Sequence, residues 1–203
     1  MLWLITNREL VDGNRYYDVI RRSVIAGIDF IILREKDLEE KELLMVAKKI
    51  KRIIGRSKTK LIVNSSLNVA KAVKADGLHV TFNDFQEKKF MYDRLIGVSV
   101  HTLDEAITAY RKKADYLLVS HIFETSCKKG LKPKGINLIK HVKSYVKIPV
   151  IALGGIKPDN IKQVFDVGAD GAAVMSSLMS SKKPEVVLME YMKKSGLQNT
   201  KKE

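Results

Sequence analysis

Eight short, almost wholly apolar runs punctuate this chain, and a longer amphipathic stretch follows each of them. The runs read as strands over 2–6, 30–34, 60–64, 77–80, 95–99, 116–120, 149–153 and 171–175. A strand that is apolar at nearly every position has no face to offer to water. That pattern belongs to parallel strands covered on both sides by crossover helices, not to half-exposed antiparallel strands. Between the runs, apolar residues recur at helical spacing, as in Tyr17, Ile20 and Val24, or Leu43, Ala47, Ile50 and Ile54. Further crossovers are expected over 67–74, 85–92, 103–112, 136–146, 159–167 and 184–194. Eight βα units in a chain of 203 residues predict an α/β, single-domain TIM (β/α)8 barrel over 1–195 with a basic C-terminal tail over 196–203. The main rival, a doubly wound open sheet, normally has fewer strands.

Local punctuation supports these boundaries. Gly27, Gly55 and Gly168 stand where helices should stop. Pro158 and Pro184 sit near helix starts, where a missing N–H costs little. Thr102 with Glu105 three positions on predicts a capping box.

Composition removes several classes of function. The single cysteine, Cys127, excludes an internal disulfide and a cysteine-based zinc cluster. No apolar run approaches the roughly 20 residues that span a bilayer. The first residues read as a strand rather than a leader, so a cytoplasmic protein with no membrane partner is expected. The net charge of +14 comes from lysines spread along outer helix faces, without interleaved aromatic residues. Such a surface would attract a phosphorylated small molecule; a nucleic-acid partner is not expected. A second copy of the chain is left open as a partner.

In a barrel of this kind, chemistry gathers where the strands end. Here those ends are polar: Thr6 and Asn7; Arg34-Glu35-Lys36; Asn64-Ser65; His79; Ser99 and His101; His121; Gly154-Gly155; Ser176-Ser177. Gly154 and Gly155, with the backbone of Met175 and Ser176, are the expected phosphate cup, because paired glycines let N–H groups approach an anion closely. Arg34 and Lys36 could clamp a carboxylate or second phosphate, or could pair with Glu35 as a rim salt bridge; both remain open. Ser99 and Thr125 are expected hydrogen-bond donors, Lys128 an anion contact and Cys127 a small passive contact. His79 and His101 read as structural. No metal-ligand spacing stands out, so neither metal nor cofactor is expected. His121, alone, is a histidine beside a basic turn. At the end of the sixth strand, beside the phosphate cup, it becomes the expected proton carrier.

These residues resemble the thiamine phosphate synthase/TenI superfamily from Leu4-Ile5-Thr6 to Val174-Met175-Ser176. The landmarks include Leu33-Arg34-Glu35-Lys36, Asn64, Asp76-Gly77-Leu78-His79, Gly97-Val98-Ser99-Val100-His101, Ala114-Asp115-Tyr116, Ala152-Leu153-Gly154-Gly155-Ile156 and Gly168-Ala169-Asp170-Gly171. The resemblance implies a TIM barrel that binds a thiazole phosphate at its rim. It also implies a choice of branch. Synthase members join a pyrimidine diphosphate to a thiazole phosphate with magnesium, and typically carry Asn-Asp where this chain has Asn64-Ser65. TenI-type thiazole tautomerases carry a loop similar to His121 through Gly130. The resulting expectation is an isomerase, a thiazole tautomerase of thiamine biosynthesis that moves a proton through His121, with Asn64 among the substrate contacts and an upstream thiazole synthase as a protein partner left open. The alternatives are a thiamine phosphate synthase and a non-catalytic, phosphate-ligand-binding regulatory protein.

Overall fold

The computed structural model describes residues 1–11, 13–125 and 130–196. Its eight strands are β1 (Leu2–Ile5), β2 (Phe30–Leu33), β3 (Lys60–Asn64), β4 (Gly77–Thr81), β5 (Leu95–Val100), β6 (Tyr116–Ser120), β7 (Val150–Leu153) and β8 (Gly171–Val174). All pair in parallel, in chain order, and β8 closes on β1. This is the expected α/β barrel, and the open sheet is excluded.

The helices are α1 (Tyr16–Ile25), α2 (Glu40–Ile54), α3 (Leu67–Ala72), α4 (Phe82–Glu87), α5 (Leu103–Arg111), α6 (Ile136–Tyr145), α7 (Ile161–Asp166), α8 (Ser176–Met179) and α9 (Pro184–Lys194). Side-chain caps fix several starts: Ser66, Thr81 and Thr102 accept from Val69, Asp84 and Glu105 N–H, each satisfying an amide that the first turn leaves unpaired. Two expectations need correction. The fourth helix begins at Phe82 rather than 85, because Thr81 ends β4 and caps it directly. The Thr102 capping box is not reciprocal: the Glu105 carboxylate accepts instead from His101 N–H, at 2.6 Å. A short helix, α8, follows β8 directly and precedes α9. The expected tail over 196–203 lies, apart from Gly196, outside the described residues.

Alternation along the strands produces two cores. Leu4, Leu33, Val63, Leu78, Val98, Leu117, Val150 and Val174 face the helices. Trp3, Ile5, Phe30, Ile32, Ile62, Tyr116, Leu118, Ile151 and Ala173 fill the barrel. Large side chains are matched by absent ones across the lumen. A Cβ at Gly97 would lie 1.9 Å from the Tyr116 ring, at Gly77 2.6 Å from Ile62 Cδ1, and at Gly171 2.8 Å from Ile151 Cδ1. Trp3 stacks on Phe30 with ring centres 3.9 Å apart and leans on Tyr116 at 4.8 Å. The lumen is therefore packed with side chains and is not a pore.

One device repeats four times at the N-terminal face. Asp29, Asp76, Asp115 and Asp170 immediately precede β2, β4, β6 and β8. Each donates its N–H to one carbonyl of the preceding strand, on Leu2, Leu61, Ile96 and Val150 respectively. Each carboxylate then accepts the N–H of that same residue, at 2.7–2.9 Å. Strands starting at staggered heights would otherwise leave these amides without partners. Lys51 and Lys143 neutralise Asp76 and Asp170. Three of the sequence landmarks, Asp76, Asp115 and Asp170, are thus structural staples at the end away from the chemistry.

Candidate active site

Strand parity sorts the polar strand ends. Asn64 pairs with His79, Thr81 with Ser99, Ser99 with Leu118, and Ser120 with Leu153. All share the inward orientation of the lumen core, since β5 and β6 pair Gly97 with inward-facing Tyr116. Arg34 continues the inward series of Phe30 and Ile32. Its charge reaches the lumen: together with burial, the first cause, it holds the His79 imidazole at a pKa of about 3. Arg34, Asn64, His79 and Ser99 therefore converge on the barrel mouth.

The Arg34-Glu35-Lys36 segment is divided. Glu35 is buried and turns away, accepting the Tyr16 hydroxyl at 2.7 Å and Arg8 N–H at 2.9 Å. The rim salt bridge is thereby replaced by an internal anchor, and Arg34 keeps its charge for the mouth. Lys36 lies on the exposed rim. Thr6 Oγ1 accepts Arg34 N–H and holds the segment against β1.

The glycine loop is held from behind. Leu153 O and Gly154 O accept from Ile122 and Phe123 N–H. Gly155 O accepts from Asn160 Nδ2 at 3.0 Å. With these carbonyls tied back, the Gly154 and Gly155 N–H groups donate to no acceptor among the described residues. Both glycines have positive φ, 104° and 63°. Both are also crowded: a Cβ would lie 2.4 Å from His121 Cβ at Gly154, and 2.2 Å from Glu124 O at Gly155. Next to them, Met175 is half-buried and Ser176 exposed at the start of α8. The first turn of a helix has no internal acceptors for its amides. Tyr191 of α9, fully buried, binds both halves, donating to Ile156 O at 2.8 Å and lying 2.9 Å from Ser177 Oγ. The sequence pattern singles out neither residue: Tyr191 is distant in sequence and looks like an ordinary helix residue, and Asn160 immediately precedes α7.

His121 is buried, 4 % exposed, with Nε2 3.2 Å from Leu131 O. A carbonyl can only accept, so Nε2 carries a proton there. The imidazole thus anchors the loop after β6, and its backbone lies against Gly154. Thr125 is half-buried on the same loop. Cys127 and Lys128 lie outside the described residues. His101, expected to be structural, places Nδ1 2.8 Å from Ser120 O and ties β5 to β6.

The donor set does not fit a divalent cation. Asn64 Nδ2 donates to the Ser65 hydroxyl, a neutral group where a carboxylate would be needed. Asp84 accepts the Thr81 hydroxyl and pairs with Lys88, which holds its carboxyl below the usual range. Among the described residues, no three His, Cys, Asp or Glu side chains cluster as metal ligands. A separate depression of about 400 Å³, lined by Lys60, Asp76, Asp93, Arg94, Leu95 and Asp115, lies at the opposite face among the aspartate staples. Among the described residues, no helix is long and apolar enough to cross a membrane.

Comparison with known proteins bears on the choice of branch. The family model for thiamine monophosphate synthase matches residues 2–178. The thiamine-phosphate synthase of Clostridium tetani is 35% identical over 182 residues, 88% of this chain and 87% of its own. That of Clostridium acetobutylicum is 34% identical over 186 residues, 90% of this chain and 88% of its own. The solved thiamine phosphate pyrophosphorylase from Pyrococcus furiosus superposes with a TM-score of 0.85 at 30% identity, covering 96% of this chain and 94% of that one. These relatives overturn the expected tautomerase: nearly full-length likeness to synthases outweighs the loop after β6 and the Ser65 that follows Asn64, and the isomerase assignment does not stand. A match spanning residues 2–178, with relatives above 30% identity over most of the chain, shows that this protein belongs to the thiamine monophosphate synthase family.

Proposed function

We propose that this chain is a thiamine-phosphate synthase, a transferase that joins a pyrimidine diphosphate to a thiazole phosphate. The observation that carries the proposal is the likeness to synthases along 88% of the chain. The mouth supports it with two separate places for anions. Gly154, Gly155, Met175 and Ser176 form the cup for the thiazole phosphate, and buried His121 buttresses that cup. Arg34, Asn64 and Ser99 face the diphosphate across the lumen, with Lys36 and Thr125 at the rim.

The chemistry is a substitution at the methylene carbon of the pyrimidine. A C–N bond forms from the thiazole nitrogen lone pair, the C–O bond to diphosphate breaks, and that electron pair leaves with the diphosphate. Negative charge grows on the leaving group, so fixed donors aimed there lower the barrier. Arg34 supplies a full charge from the residue just after β2, and Ser99 a hydroxyl from within β5. No step is assigned to a metal ion, since these residues do not fit one.

The test is a timed incubation of the purified protein with both substrates, with thiamine phosphate quantified by chromatography. Ser99→Ala should lower turnover about 10²–10³-fold, the usual loss for one preorganised donor. Equal rates with protein and with buffer would reject the proposal.

A further inference from the structure

The lumen contains a short polar chain that ends at Ser99 and whose two inner members, His79 and Tyr116, the reaction scheme above does not use. His79, 3 % exposed, places Nδ1 3.0 Å from the Tyr116 hydroxyl and Nε2 2.8 Å from Ser99 Oγ. The His79 and Tyr116 rings also stack, with centres 5.6 Å apart and planes 24° from parallel. Gly97 exists to make room for this: any side chain there would strike the Tyr116 ring.

The direction of these bonds follows from counting protons. A neutral imidazole has one donor nitrogen and one acceptor nitrogen. The Tyr116 hydroxyl has one hydrogen, and His79 Nδ1 is its acceptor among the described residues. The nearby Trp3 Nε1 is itself buried without a partner, so it does not donate to Tyr116. If Nδ1 carried the imidazole proton, the phenol would have to accept, and its own hydrogen would be buried unpaired, which costs about 1–3 kcal/mol. The phenol therefore donates to Nδ1. The imidazole proton then sits on Nε2 and is given to Ser99 Oγ. Since Oγ is accepting from behind, the Ser99 hydrogen turns toward the mouth. The low pKa of His79 keeps the imidazole neutral, which this one-way arrangement requires.

We infer that His79 and Tyr116 are positioning residues that lock Ser99 as a hydrogen-bond donor toward an anionic oxygen in the barrel mouth. This deepens the synthase proposal by giving Ser99 a fixed polarity, and it rests on that proposal only for the identity of the anion. With Tyr116→Phe the lock is lost: either nitrogen can then carry the proton, and Ser99 spends part of its time donating inward.

The test has two arms, neither of which needs turnover. Nitrogen-15 NMR of the wild-type protein reads the His79 tautomer directly. A neutral ring protonated on Nε2 is expected; protonation on Nδ1, or a charged ring, at neutral pH overturns the inference. The second arm measures inorganic pyrophosphate binding by calorimetry in a double-mutant cycle. Ser99→Ala should weaken binding about tenfold, the scale of one hydrogen bond to a charged group. Tyr116→Phe should weaken it severalfold, and the double variant no more than Ser99→Ala alone. Fully additive losses would overturn the inference. Failure of the NMR arm alongside normal thiamine phosphate formation would reject the relay and keep the synthase. The expected tautomer and coupling without any condensation would do the reverse.

Discussion

Replacing His79 with glutamine should remove a defined part of the protein's acid sensitivity. Burial first, and Arg34 second, lower the His79 pKa from 6.5 to about 3 in the folded protein. In the unfolded chain the ring recovers its ordinary value near 6.5. Between those two values the unfolded state binds a proton that the folded state refuses, so stability falls as pH falls. The loss begins near pH 6.5 and is complete only below about pH 3. From about pH 7.5 to about pH 5 the window covers some 1.5 units, at about 1.4 kcal/mol each, or about 2 kcal/mol. Glutamine does not titrate, so H79Q should lack this increment whatever its absolute stability. Urea unfolding of both proteins at the two pH values, followed by circular dichroism, gives the difference of differences. Equal pH dependence in the two proteins would mean that His79 is either hydrated or already charged in the fold, and the lumen argument would fail.

Other substitutions separate binding from scaffolding. Gly155→Ala puts a methyl 2.2 Å from Glu124 O at a φ of 63°; it should cost about 1–3 kcal/mol and raise the KM for thiazole phosphate well above its effect on other substrates, measured by thermal melts and steady-state kinetics. Asp170→Ala removes the acceptor of Val150 N–H and the Lys143 ion pair at the opposite face; a loss of about 1–3 kcal/mol in urea unfolding is expected, with kcat and KM unchanged. Manganese titrated calorimetrically into the free protein should bind no tighter than about 1 mM, because Ser65 and the Lys88-paired Asp84 make no cation site. Micromolar binding abolished by Asp84→Asn would contradict that account.

The barrel was legible because it is written as repetition: apolar runs with no polar face leave few folds open. The strand-end residues Arg34, Asn64, Ser99 and Gly154-Gly155 were legible for the same reason, since topology alone sends them to one rim. What stayed hidden depends on register and parity. Asp76, Asp115 and Asp170 stand among the landmarks of the resemblance with no role attached, and only pairing shows that they and Asp29 each face the amide of a neighbouring strand. His79 and Tyr116 sit 37 positions apart and meet only because β4 and β5 bring Gly97 between them. Tyr191 reaches the glycine loop from the last helix, a contact no local pattern encodes. The tautomerase expectation failed differently. It weighted the string from His121 to Gly130 and the Ser65 that follows Asn64 above the rest of the chain, while likeness to synthases counts every position.

The most direct measurement follows phosphorus through the reaction. Phosphorus-31 NMR of the protein with equimolar pyrimidine diphosphate and thiazole phosphate distinguishes both substrates, the joined phosphomonoester and free pyrophosphate. A synthase predicts pyrophosphate and thiamine phosphate appearing together, one for one, as both substrates disappear. Persistence of both substrates, or pyrophosphate released without the joined product, would contradict the assignment.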